Sequence, residues 1–245
     1  MPTAIQSIHE IVAAVPSAVA VFERFGIDVC SHADDRIERV CAELQLSVDQ
    51  VLEKLADAES QARGATAPDL ERYSLTRLIQ HIVRTHHQMV RQELPRFAEV
   101  SHRIAGEHSG QTPQFKSVAE LIEQLAAEMF SHFEKEEQML FPCIVRLEEA
   151  AEDRSPRSSA DLGSVAQPVA MMMREHDTAE GIVSELRRLT NGFKPPAWAC
   201  PRNTALHTSL AAFDVDLRQH IYLENNLLFP RALALEAKLA QRRQP

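Results

Sequence analysis

Two short stretches of this chain repeat each other. Residues 132–142 read HFEKEEQMLFP and residues 220–230 read HIYLENNLLFP, so both have the form H-x-x-x-E-x-x-[ML]-L-F-P. Residues four apart on a helix share a face, with Cβ atoms about 5–6 Å apart. His132 and Glu136 therefore point at one spot, as do His220 and Glu224. Each copy follows an earlier histidine at nearly the same distance: His87 lies 45 residues before His132, and His176 lies 44 before His220. Four imidazoles and two carboxylates can then meet at one centre, and the duplication implies a pseudo-twofold arrangement with the repeated residues near its axis.

Such a donor set binds metal. Imidazole suits iron, zinc, copper and nickel, whereas oxygen-rich sites suit magnesium, calcium and manganese. Two carboxylates can each bridge two ions. Each ion then receives two nitrogens and two bridging oxygens, which leaves positions for an oxo bridge and a small ligand. A mixed histidine and carboxylate pair inside a helical bundle most resembles a di-iron site. A single H-x-x-x-E is an ordinary i,i+4 contact; two copies in matched blocks, each with an upstream histidine, point to metal.

The neighbouring residues read more plainly. Leu140-Phe141 and Leu228-Phe229 are core, and Pro142 and Pro230 kink the helix or mark a local break. Glu134, Lys135 and Glu137 read as a solvated face. His81 lies on a different face from His87, and His86 points elsewhere. His102 and His207 fall at helix ends or loops, and His9 on the surface. His108 is the best candidate for a supporting or spare ligand. Met1, Met89, Met129, Met139 and Met171 to Met173 read as core filler.

Helices must carry these residues. The chain has 245 residues and only 7 glycines, fewer than the many tight turns of a strand-rich fold require. Four long amphipathic segments, 74–103, 117–147, 165–190 and 203–240, are separated by the Gly-, Pro- and Ser-rich breaks 106–113, 151–163 and 192–201. Four helices of about 25 residues with modest loops make an up-down-up-down bundle. Ahead of it, residues 1–60 form a small helical unit. Apolar residues recur on a helical period over 8–25, Pro16 can open a new helix and Gly26 can end it. Residues 34–44 make another short helix, and Ser47-x-x-Gln50 is a capping box opening 48–58. Residues 61–73 form a linker.

The net charge of −9, with no basic stripe, argues against nucleic-acid binding. No apolar run approaches the roughly 20 residues needed to cross a bilayer. The first residues lack a basic segment followed by an apolar one, which places the protein in the cytoplasm. Cys30, Cys41, Cys143 and Cys200 are widely spaced without a C-x-x-C pair, against a disulfide framework or a zinc ribbon.

At these residues the chain resembles the repair-of-iron-centres family, the YtfE/ScdA-type di-iron proteins with a hemerythrin-like domain. HIVRTHH at 81–87 matches the family's first bundle helix, HFEKEEQMLFP its second, REHD at 174–177 its third, and HIYLENNLLFP, continuing into Arg231-Ala232-Leu233, its fourth. The resemblance implies ligands at His87, His132, Glu136, His176, His220 and Glu224, and two non-haem irons with an oxo bridge. It also implies a small N-terminal domain marked by Cys-Cys-Gly-Gly. Here Asp28-Val29-Cys30-Ser31-His32-Ala33 stands in that place. Cys30 keeps one thiol, while the second cysteine and both glycines are absent, so a function that needs paired thiols is not implied.

The activity the resemblance implies belongs to the nitrosative and oxidative stress response. It is repair of damaged iron–sulfur clusters, with nitric oxide bound or reduced at the di-iron site, in a monomer or homodimer whose partners are a diatomic (NO or O2) and damaged iron–sulfur proteins. The alternatives are a nitric oxide scavenger without repair activity and a hemerythrin-like oxygen binder or sensor. Against the latter, hemerythrins use a five-histidine set with H-x-x-x-H, whereas here His176 is followed four residues later by Glu180.

Overall fold

The computed structural model describes residues 2–8, 10, 11, 15, 18–27, 29, 32, 34–62, 70–107, 113–152 and 164–241. Cys30, His108, His9, most of the expected linker and the interiors of two loops lie outside them. The described residues are helical, and their one β-type pairing is an isolated antiparallel bridge between Ser7 and Arg36. The all-α expectation holds.

Among the described residues, three short helices with defined bounds precede the bundle: α1 (Ala18–Arg24), α2 (Ile37–Glu43) and α3 (Val48–Ala62). Gly26 ends α1 in the left-handed region, at φ 73°, and the Ile27 N–H closes onto the Phe22 carbonyl at 2.9 Å. The Ser47 hydroxyl accepts the Gln50 N–H at the start of α3, as the capping box predicts. This helix runs four residues beyond the expected Ala58. Its neighbours form a core of Ile8, Val21, Phe22, Ile37, Val40, Val51 and Leu55.

Four long helices follow. α4 (75–107), α5 (114–152), α6 (Ala166–Leu189) and α7 (201–241) each extend close to or past the ends read from periodicity. Ser74 caps α4 by accepting the Arg77 N–H at 3.2 Å. The bundle core contains Leu78, Ile82, Leu140, Phe141, Ile144, Met172, Leu228 and Phe229, so both Leu-Phe pairs of the repeat are buried. Burying each such side chain contributes roughly 1.5–3 kcal/mol.

By its internal contacts the chain divides into two compact units. One comprises 1–68 with 100–115 and 187–212; the other comprises 69–99, 116–186 and 213–245. The methionines split: Met129 and Met172 are buried, but Met139 is 62% exposed and Met171 and Met173 also reach solvent. Met139 lies inside a π turn, described below, where one extra residue per turn shifts the helical face, so a period of 3.6 misplaces it.

Candidate metal centre

Three of the four long helices carry a π turn at the level of the histidines and carboxylates. These turns are Val83–His87 in α4, Glu136–Leu140 in α5 and Glu224–Leu228 in α7. In each, a backbone N–H reaches back five residues: Gln88 to Val83, Phe141 to Glu136, and Phe229 to Glu224. Pro142 and Pro230 lie two residues beyond the ends of two of them. Proline has no N–H and clashes with the carbonyl four residues back, and the wider turn relieves that conflict without ending the helix. The local break expected at the prolines is therefore a π turn just before them. α6, which carries His176, stays α-helical throughout.

The six side chains picked out by spacing lie together and are buried: His87, His132, Glu136, His176, His220 and Glu224 are at most 2% exposed. They form two groups of four. One is His87, Glu136, His220 and Glu224; the other is His132, Glu136, His176 and Glu224. In each group the donor atoms all lie within 4.8 Å of one another, and both carboxylates belong to both groups. Glu136 turns Oε2 toward His87 Nε2 (3.4 Å) and Oε1 toward His132 Nε2 (3.4 Å). Glu224 turns Oε1 toward His220 Nε2 (3.0 Å) and Oε2 toward His176 Nε2 (3.0 Å). Each carboxylate thus offers one oxygen to each half of the centre.

The donors fit cations. All four carboxylate oxygens, together with Nε2 of His87 and of His220, are buried without a hydrogen-bond partner among the described residues. Two buried carboxylates left this way cost several kcal/mol, and cations between them remove that cost. Their mutual repulsion is visible in their acidity. Burial and the neighbouring Glu224 charge raise the pKa of Glu136. Glu224 is buried too, but His220, His176 and His87 outweigh that burial and hold its carboxyl well below the usual range. Burial likewise pushes His132 down, yet Glu136, Glu224 and Glu175 overcome it and raise the imidazole to about 9. His220 is driven down by burial, with the charge of His87 adding to it.

The imidazoles are oriented from behind. His87 Nδ1 donates to Glu137 Oε1 (2.7 Å), which also accepts from Arg91 (2.9 Å). His132 Nδ1 donates to Glu175 Oε2 (3.0 Å), whose other oxygen pairs with Lys135. His176 Nδ1 donates to Asn225 Oδ1 (3.0 Å). With Nδ1 donating behind the ring, Nε2 is the atom each of these imidazoles turns toward the centre, where a cation would displace any proton it carries. Phe133 stacks on the His87 ring at 3.9 Å, and Phe229 lies parallel to His176 at 6.1 Å.

Several sequence readings are corrected here. Glu137 and Lys135 do not form a solvated face, because each is engaged behind an imidazole. His86 does not point away: it is 1% exposed and stacks on His220. Both His86 and His87, in the π turn of α4, lie inside the bundle. His207 is neither terminal nor in a loop; it is buried within α7, its Nδ1 donating to the Asn203 carbonyl at 2.9 Å. A sequence signal for the orienting groups was present: Glu137, Glu175 and Asn225 each sit next to a residue of the centre.

A buried centre of imidazoles and shared carboxylates among four long helices is the architecture of a hemerythrin-like, cation-binding bundle. The model of the hemerythrin HHE cation binding domain matches residues 78–232, and that of the ScdA_N domain, a domain of unknown function, matches residues 4–59. The "Iron-sulfur cluster repair protein YtfE" of Enterobacter sp. (strain 638) is 32% identical over 232 residues, covering 94% of this chain and 98% of that protein. The protein of the same description from Pectobacterium atrosepticum is also 32% identical, over 93% of this chain and 96% of its own length. A "Probable iron-sulfur cluster repair protein" of Haemophilus influenzae is 29% identical over 95% and 99%. The chain belongs to the hemerythrin HHE family, in the branch that joins this bundle to an ScdA_N domain and includes the YtfE proteins. No described helix is long and apolar enough to cross a membrane.

Proposed function

We propose that this protein holds two non-haem iron ions, joined by Glu136, Glu224 and an oxo bridge, and serves in the nitrosative and oxidative stress response by repairing damaged iron–sulfur clusters. The observation that carries the reading is the sharing of both carboxylates between two four-donor groups. His87 and His220 hold one ion, and His132 and His176 the other. The names of the relatives, iron–sulfur cluster repair proteins, support the repair role. When bound, the iron pair supplies two-electron redox chemistry and binding of a diatomic such as nitric oxide or O2, including nitric oxide reduction. The chain itself orients the four imidazoles through Glu137, Glu175 and Asn225, and its Phe133, Phe141 and Phe229 rings keep bulk water out. We assign residues 74–240 to the metal-binding bundle, 61–73 to a linker and 1–60 to an accessory domain. We place the protein in the cytoplasm, as a monomer or homodimer whose clients are iron–sulfur proteins.

Iron quantitation with Mössbauer spectroscopy on the reconstituted protein tests the centre. Two irons per chain with the spectrum of a coupled pair are expected; one iron, or none, overturns it. Reactivation of a damaged cluster enzyme by the two-iron protein tests repair. One observation favours a second reading, nitric oxide scavenging without repair: Ser31, His32 and Ala33 follow Cys30 where paired thiols would stand. Failure to reactivate, with both irons present and nitric oxide bound or converted to nitrous oxide, selects it.

A further inference from the structure

Three of the four imidazoles at the centre have an acceptor behind Nδ1. His220 does not: its Nδ1 is buried with no hydrogen-bond partner among the described residues. Its neighbour is His86, whose ring lies nearly parallel to it, 13° apart in plane and 5.7 Å between centroids. His86 Nδ1 is 2.9 Å from Asp216 Oδ2. A carboxylate only accepts, so that contact puts the His86 proton on Nδ1 and leaves a lone pair on Nε2. His86 Nε2 is likewise buried and without a partner. The two unpartnered nitrogens are complementary. With Nε2 facing the centre, His220 carries its proton on Nδ1 and needs an acceptor, and His86 Nε2 is one.

We propose that the Asp216–His86 pair is the fourth orienting group, positioning His220 through a single buried water that accepts from His220 Nδ1–H and donates to His86 Nε2. No direct hydrogen bond joins the two rings, whose centroids are 5.7 Å apart, and one water between them satisfies the donor on one and the acceptor on the other. The inference rests on the di-iron reading and adds to it. The ion at His87 and His220 is held by one directly oriented imidazole and one oriented through water; the ion at His132 and His176 has two direct partners. His86 is a positioning residue, and the first ion is the more easily released.

The test is iron release from the reconstituted full-length protein to a ferrous chelator, in wild type, His86→Phe, Asp216→Ala and Asp216→Asn. Phenylalanine keeps the stacked ring and removes the acceptor; asparagine keeps an acceptor for His86 Nδ1. In His86→Phe and Asp216→Ala, one of the two irons should leave about 10- to 100-fold faster and the other at the wild-type rate. Asp216→Asn should restore the slower release. Wild-type rates for both irons in both disruptive variants overturn the inference. So does equal acceleration of both irons in a variant whose circular dichroism is native, because loosened packing does not select one ion. If His86→Phe fails to fold, the Asp216→Ala and Asp216→Asn pair decides on the same criteria. A wild type holding fewer than two irons overturns the di-iron reading instead.

Discussion

Glu136 and Glu224 are equivalent in the repeat, yet their surroundings treat them differently. Glu224 faces three imidazoles and stays ionised, whereas Glu136 is raised by burial and by the charge of Glu224. Each carboxylate turns one oxygen toward each half of the centre, so on the proposed two-iron reading Glu136→Ala or Glu224→Ala would remove a donor from both metal positions at once. Iron content should fall from two per chain to one or fewer, measured after reconstitution and gel filtration; retention of two in both variants refutes the bridging role. Behind the donors, Glu175→Leu takes the acceptor from His132 and the partner from Lys135. It should weaken iron binding by about 10- to 100-fold in chelator competition, and unchanged affinity would show that Glu175 does not orient the ring.

At the scale of elements, the duplication runs further than the motif. Glu148 Oε1 and Oε2 accept the N–H groups of Leu75 (2.7 Å) and Thr76 (2.9 Å), closing the start of α4. Glu236 accepts the Val165 N–H (3.2 Å) just before α6. Each lies twelve residues after the glutamate of its repeat, Glu136 or Glu224, within a matching Leu-Glu pair, Leu147-Glu148 and Leu235-Glu236. Helix starts leave N–H groups unsatisfied, and a carboxylate there also favours the dipole. Glu148→Ala should cost about 1 kcal/mol in urea unfolding. Burial alone would raise the Glu148 pKa, but the Thr76 and Leu75 contacts and the Arg231 charge outweigh it and lower the carboxyl below its ordinary 4.5. A depressed folded-state pKa contributes stability that is fully present above the unfolded value and is lost as pH falls through the folded one. The wild-type minus Glu148→Ala difference should therefore hold from neutral pH down to about 5 and shrink below 4.5; a difference independent of pH would exclude the ionised cap.

At the scale of the molecule, a buried centre that binds cations only when folded must couple iron to stability. Iron at a hundred times its dissociation constant should stabilise the bundle by about 2.7 kcal/mol. Melting should move up with iron and back with chelator; identical melts with two irons bound would contradict a preformed internal centre. All the residues of that centre fall in the compact unit 69–99, 116–186 and 213–245, whereas position 30 belongs to the stretch 4–59 that the ScdA_N model matches. Cys30→Ser should accordingly leave iron content unchanged, and a loss of iron would show that the thiol takes part in holding it.

The sequence by itself determined the helical class and singled out the six side chains that meet at the buried centre, because a fixed rise and turn make i,i+4 spacing a statement about one face, and because the motif occurs twice. It also determined the burial of the Leu-Phe pairs, which follows from the same periodicity. Only the tertiary structure decided what stands behind the donors. Glu137 and Lys135 look like any charged surface pair until α4 and α6 bring His87 and Glu175 to them. The roles of His86, Glu148 and Glu236 depend on contacts between residues 71 to 130 positions apart. Two residues whose burial periodicity misreads, His86 (buried) and Met139 (exposed), both lie in π turns, where the regular 3.6-residue spacing does not apply. Local spacing fixes which residues share a face; which face meets which is settled by packing across the bundle.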